Sequence, residues 1–283
     1  MKKLLFLLFI TSFTVAQTNT EVYLFEINNF EGNWTVGKGK NISNNPGYDS
    51  QPFFYSNSSI LFSSTRNKQT DIAEYNIKSG KTKFINSTPK GGEYSPQRIP
   101  KSKHISAVRL DNDGLQRFYK YHYKTGKSTE IIADLKVAYP MWYDKNTTIN
   151  VVIVDKGLDL IVSELKLKRN TTIQKKVGRS LHHIPNTTFI SYISKEKEQW
   201  EVKMFNPKNG ERRKIIETVG KKEDVCWLPD GTLLMAVGNT LMKFNPATDK
   251  NWSIFHTFPK NKFNNISRIL VNSNGTQLAL VSD

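Results

Sequence analysis

The feature that most constrains this chain is a pattern that returns at a nearly fixed interval. It opens at Pro52 in SQPFFYSNSSILFSS and recurs at Pro96 (PQRIPKSKHISAV), Pro140 (PMWYDKNTTINVV), Leu181 (LHHIPNTTFISYI), Val225 (VCWLPDGTLLMAV) and Arg268 (RILVNSNGTQLALV). The steps are 44, 44, 41, 44 and 43 residues. A period in this range means that each repeat is one supersecondary unit, buried by stacking against its neighbours. Pro100, Pro185 and Pro229 each stand four residues after an anchor, ahead of a polar turn and a β-rich run, as a hairpin requires. Third strands follow in EYNIKSGK, KYHYKTGK, KMFNPKNGE and KFNPATDK, and fourth strands in TKFIN, STEIIA, RRKIIE and WSIFHTF. No segment sustains a helical period. A repeat of four short antiparallel strands over this length is a propeller blade.

The last repeat stops at Asp283 with two strands made. The missing pair stands at the other end, in Thr20–Gly32 and Asn33–Ser43. The expectation is therefore an all-β, six-bladed β-propeller with repeats starting near 48, 92, 136, 178, 221 and 264. Residues 20–43 supply the outer strands of the closing blade, which removes the open junction between first and last blades.

The start, MKKLLFLLFITSFTVAQ, has a basic end, a short apolar middle and small residues before a polar segment, the pattern of a secretory signal peptide over residues 1–17. Its apolar part is shorter than the roughly 20 residues of a membrane span. No cysteine lies near the cleavage point after Ala16 or Gln17, so no lipid anchor is expected. The reading is a single propeller domain over 18–283, periplasmic or secreted, monomeric, and not integral to a membrane once the leader is removed. Cys226 is the only cysteine, so no internal disulfide can form and burial with strand pairing must hold the fold.

The formal charge is +16, and loss of Lys2 and Lys3 leaves +14. Such a balance favours acidic partners or anionic surfaces. The charge is spread along the chain, with KKVGR and ERRK as short clusters and no long basic run, so no nucleic-acid partner is expected.

Phe62, Ser63, Ser64, Arg66, Asp71, Ile72 and Tyr75 resemble the Phe-Ser-Ser-x-Arg and Asp-Ile-x-x-Tyr pattern of the WD-like repeats in TolB-type β-propellers. WLPDGTLLMAV, Trp227 to Val237, resembles the Trp-Ser-Pro-Asp-Gly half of that repeat. Arg98 and His183 depart from it, standing where the family has Trp or another large apolar residue. In TolB a separate N-terminal domain precedes the propeller, within a periplasmic envelope complex. Here only the leader and the closing strands precede Pro52, so the resemblance implies a stand-alone TolB-like propeller that works as a non-catalytic protein-interaction or ligand-binding module in the cell envelope. The expected partner is an envelope protein or an anionic envelope polymer.

Residues just before the anchors are the candidates for the mouth of the central channel: Asp49, Glu93, Arg179, Glu223 and Asp224. Carboxylates ringing a channel suit a hard cation, so a metal-dependent, lactonase-like hydrolase using Asp49, Glu93 and Asp224 is the alternative. The reading expects no resident metal or other cofactor and assigns no catalytic residue. His182 and His183 are neighbours in a strand and face opposite sides. His104, His122 and His256 lack metal-ligand spacing, and Cys226 reads as a small buried apolar residue. Phe54, Trp142 and Trp227 share one repeat position, which favours packing between blades; Asp71 and Tyr75 are further repeat positions. Trp200 and Trp252, on outer strands, are expected to be exposed for contact. The segment Asp111–Gly114 reads as a hairpin turn.

Overall fold

A computed structural model describes residues 19–89 and 91–283. The leader expected over residues 1–17 lies outside the described residues.

 

The described residues form 24 strands in six four-stranded antiparallel sheets, with no helix among them. The first two strands are β1 (Glu21–Phe30) and β2 (Asn33–Asn41). Blade 1 follows as β3 (Asp49–Ser56), β4 (Ser59–Arg66), β5 (Gln69–Asn76) and β6 (Lys81–Phe84). Blade 2 is β7 (Gly91–Arg98), β8 (Ile105–Asp111), β9 (Gln116–Tyr121) and β10 (Ser128–Ile132). Blade 3 is β11 (Val137–Asp144), β12 (Thr147–Val154), β13 (Gly157–Glu164) and β14 (Arg169–Gln174). Blade 4 is β15 (Val177–His183), β16 (Ile190–Ser194), β17 (Glu201–Phe205) and β18 (Arg212–Glu217). Blade 5 is β19 (Val225–Trp227), β20 (Leu233–Val237), β21 (Thr240–Phe244) and β22 (Ser253–Thr257).

Blade 6 closes the ring as the repeat count requires. Its inner strands β23 (Ile266–Val271) and β24 (Gln277–Ser282) pair onward to β1 and then β2. Glu21 stands opposite Ser282 and Glu26 opposite Gln277, so both edges that an open ring would expose are joined in one ladder.

The core is divided into six apolar clusters, each seated between two neighbouring blades. Between blades 1 and 2, for example, Leu61 and Ile72 meet Ile105, Ala107 and Tyr121. Between blades 5 and 6, Leu234 and Leu241 meet Phe25, Ile27, Ile269 and Leu280. The middle strands of a blade are covered on both faces, which is why β4, SILFSSTR, and β12, TTINVVIV, read as almost continuous buried runs.

The shared aromatic position works as packing. Trp142 and Trp227 are both 7% exposed. Each indole N–H crosses to the preceding blade, Trp142 Nε1 donating to Ser106 Oγ and Trp227 Nε1 to Ser191 Oγ, both at 2.8 Å. Phe54 fills the same position in blade 1 and packs, half-buried, on the cluster that holds Val22 and Val281 of blade 6. Tyr75 is buried in that cluster, and its hydroxyl accepts from Lys40 Nζ at 3.0 Å. Trp200 and Trp252 correct the expectation of exposed contacts. Both are half-buried against the cluster between blades 4 and 5, and Trp252 Nε1 donates to the Glu217 carbonyl at 2.8 Å. The Asp111–Gly114 segment is a hairpin turn, with Gly114 N bonded to the Asp111 carbonyl at 2.9 Å and Gly114 at φ 79°.

Candidate functional site

All six inner strands contribute to one central cavity of about 890 Å³. Its lining is apolar at Pro52, Pro96, Pro140 and Leu181 and polar at residues such as Arg179 and Asp224 near the beginnings of the strands and Arg98 and His183 at their ends. The inner strands do not run straight. Gln51 and Ser95, equivalent residues of blades 1 and 2, sit at φ 58° and 51°, and the pairing of both inner strands shifts there. Gln51 Oε1 accepts from Ser95 N at 2.7 Å and from Ser63 Oγ at 3.0 Å, so the bulges are tied across the blade junction.

Near the beginnings of the inner strands, charges from three blades converge. Arg179 of β15 donates Nη2 to Asp224 Oδ2 at 2.7 Å and Nε to Asp224 Oδ1 at 3.2 Å. Arg268 of β23 reaches the same carboxylate, Nη1 to Oδ1, at 3.1 Å. Asp224 is thus a single carboxylate shared by two guanidinium groups. Glu223 accepts from Lys195 Nζ at 2.8 Å and from Arg179 N at 3.1 Å. Burial alone would raise the Glu223 carboxyl, but Lys195 and the Arg179 charge hold it below the usual range. Arg179 loses hydration in the wall, yet Asp224 more than offsets this and keeps its guanidinium firmly charged.

At the other ends of the inner strands the two departures from the family pattern take aromatic partners. Arg98 lies over the Tyr55 ring, 5.0 Å from its centre, and His183 stacks on Tyr143 at 5.7 Å. His183 Nε2 also lies 2.8 Å from the Trp142 carbonyl. Burial first, and then the neighbouring His183, push His182 down to about 4, which leaves it neutral in the channel wall at pH 7.

Three of the five expected mouth residues, Arg179, Glu223 and Asp224, therefore form one constellation. Asp49 and Glu93 do not join it, because both are 0% exposed within blade junctions. Asp49 is held by Ser64 Oγ, by Asn45 Nδ2 at 3.0 Å and by Arg66 Nη1 at 3.2 Å. Glu93 accepts from the buried Tyr121 hydroxyl at 2.9 Å and stands near enough to the Asp71 carboxyl for its charge to oppose ionisation. Asp71 also accepts from Asn86 Nδ2 at 2.9 Å and Thr88 N at 3.0 Å. The ligand set Asp49, Glu93 and Asp224 is not assembled, and among the described residues no group of three His, Cys, Asp or Glu side chains is placed to hold a metal ion.

Sequence reasoning missed Arg268 and Lys195 as members of the constellation. Arg268 was visible as the anchor of the sixth repeat, 44 residues after Asp224. Lys195 carried no signal, since it enters from the end of the second strand of blade 4. The fold also brings His104 against His122 within blade 2, their rings tilted by 43° with centres 4.8 Å apart. Cys226 is buried, and loss of hydration raises its thiol well above the ordinary value, so it is no nucleophile at neutral pH.

This is the architecture of a six-bladed β-propeller. Among solved structures, a putative TolB from Agrobacterium tumefaciens is similar over 93% of this chain and 98% of its own, with a TM-score of 0.72 at 11% identity. TolB from Acinetobacter baumannii matches over 93% of this chain with a TM-score of 0.57 at 12% identity, and this chain spans 64% of that protein. A gluconolactonase from Xanthomonas campestris matches over 85% of this chain and 87% of its own, with a TM-score of 0.62 at 9% identity. These likenesses establish the fold. No protein-family model and no curated protein sequence matches the chain. No helix among the described residues is long and apolar enough to cross a membrane.

Proposed function

We propose that this chain is an exported, non-catalytic binding module of the cell envelope, which receives an envelope protein or an anionic envelope polymer at the mouth of its central channel. The observation that supports it most is the Arg179–Asp224–Arg268 bridge. Two arginines share one carboxylate in the channel wall, which leaves guanidinium donors beyond those that Asp224 engages. An incoming acidic group can take them without any change of backbone. The neighbours in fold point the same way only as far as architecture goes, because propellers of one shape serve both binding and catalysis.

The test is capture of partners from the native envelope on the tagged protein, at low and at moderate salt, beside the variant Arg179→Ala with Arg268→Ala. A partner retained at moderate salt by the parent and lost from the variant is the expected result. Retention that vanishes equally for both as salt rises is screened surface charge, and overturns the reading.

The second reading, a metal-dependent lactonase, has gluconolactonase propellers among its neighbours in fold. It requires ligands other than the separated carboxylates Asp49, Glu93 and Asp224. Stoichiometric divalent metal after dialysis, with lactone turnover that is lost when the metal is chelated and restored when it is added back, would replace the first reading with this one.

A further inference from the structure

The two basic clusters of the sequence, KKVGR and ERRK, meet in space. Lys175 belongs to the first, at the end of the outer strand of blade 3. Arg212, Arg213 and Lys214 belong to the second, on the outer strand of blade 4. Together with Lys203 they line a groove of about 590 Å³ on the rim of the ring, away from the channel. Arg212 Nη1 crosses between the blades to the Ile173 carbonyl at 2.6 Å. Beneath, the Tyr192 hydroxyl donates to Gln174 Oε1 and Gln174 Nε2 to Ser194 Oγ, both at 2.7 Å, so the buried polar groups there are satisfied internally.

The cations are unequally compensated. Lys203 pairs with Glu196 at 3.2 Å and Lys214 with Glu217 at 2.8 Å, and both also reach the buried Glu201, at 3.6 and 3.5 Å. Arg213 pairs with Glu211. Lys175 and Arg212 have no carboxylate partner among the described residues. The groove therefore holds five cations with Glu196 as the one acid in its lining. A ligand carboxylate offers Lys203, Arg213 and Lys214 no more than their resident glutamates already do. A phosphate offers more acceptor oxygens and can carry more charge, enough to bridge Lys175 and Arg212 at once.

We propose that this groove between blades 3 and 4 is a binding site for a phosphate-bearing linear polymer. The proposal is independent of the channel reading, since the groove and the channel share none of their lining residues. Arg212 and Lys175 make the primary contacts, and Lys203, Arg213 and Lys214 exchange resident glutamates for neighbouring phosphates. Such binding weakens steeply with salt, because each contact releases counterions from the polymer.

The experiment is equilibrium binding of fluorescent inorganic polyphosphate to the full chain over a salt series. Lys175→Glu with Arg212→Gln is expected to weaken binding tenfold or more and to flatten the salt dependence. Glu196→Gln, which removes the competing acid, is expected to tighten it severalfold, and this variant keeps the proposal testable if the first one folds poorly. Lys78→Glu with Lys81→Glu, two exposed residues of blade 1, is expected to stay within about twofold of the parent. Equal losses in the blade 1 and groove variants would reduce the effect to net charge and overturn the site. Polyglutamate binding as tightly as polyphosphate would overturn the phosphate assignment in favour of an acidic polypeptide. No binding of polyphosphate at low salt would overturn both.

Discussion

Glu93 is a fully buried carboxyl with the Tyr121 hydroxyl on one oxygen, no donor on the other, and a second carboxyl, Asp71, beside it. Burial raises both above their usual values, and the charge of Asp71 further works against ionisation of Glu93. The folded chain thus keeps a proton here that the unfolded chain releases above about 4.5. Stability from the Glu93 proton is fully present below that value and falls as pH rises through the higher folded one. Glu93→Gln is expected to stabilise the protein at pH 7 to 8 by about 1–3 kcal/mol and to flatten this part of the pH dependence. Thermal unfolding of both forms between pH 5 and 8 checks it, and equal slopes would refute it. At this scale the sequence was an incomplete guide. Asp49 and Glu93 were legible as repeat positions but not as buried groups, because the inner strands bulge at Gln51 and Ser95 and counting residues from an anchor does not show which side a carboxyl takes.

Among the elements, the closing hairpin carries the most specific constraint. Gly39 of β2 lies opposite Phe25 of β1, and a Cβ there would run into the Phe25 ring. Phe25 in turn packs edge-on against Phe258, ring centres 4.9 Å apart, in the cluster between blades 5 and 6. Gly37, two residues earlier, has no atom closer than 3.4 Å to the same added carbon. Gly39→Ala is therefore expected to cost about 1–3 kcal/mol through displacement of Phe25, while Gly37→Ala stays near neutral. Denaturant unfolding of the two variants distinguishes them, and equal losses would show that the ring is not the cause. The hairpin was legible as an element because its two strands complete a known count. Its glycine was not, since a gap filled by a ring from the partner strand leaves no periodic mark.

For the whole molecule, spacing alone carried the reading. Six anchors at nearly equal steps, with half a repeat at each end, admit one closed ring, and the structure is that ring. The channel constellation was only half legible, because Arg179, Asp224 and Arg268 come from three blades and meet through curvature of the ring. Removing residues 19–43 would strip β24 of β1, leaving only β23 beside it, and uncover Val281, Leu280 and Leu278, which are 0% exposed. The shortened chain is expected to self-associate through that edge; light scattering would show it, and a stable monomer would contradict it.

The ladder that closes the ring also decides how the molecule meets a pulling force. Glu21 and Ser282 face each other at one end of antiparallel β1 and β24, so tension applied at these two residues falls on a single pair of the ladder at a time. The seam opens like a zipper, and does not resist in shear. A ring whose blades are each packed on two sides thus has one mechanically soft line, and the rest of the blades can stay folded while it parts.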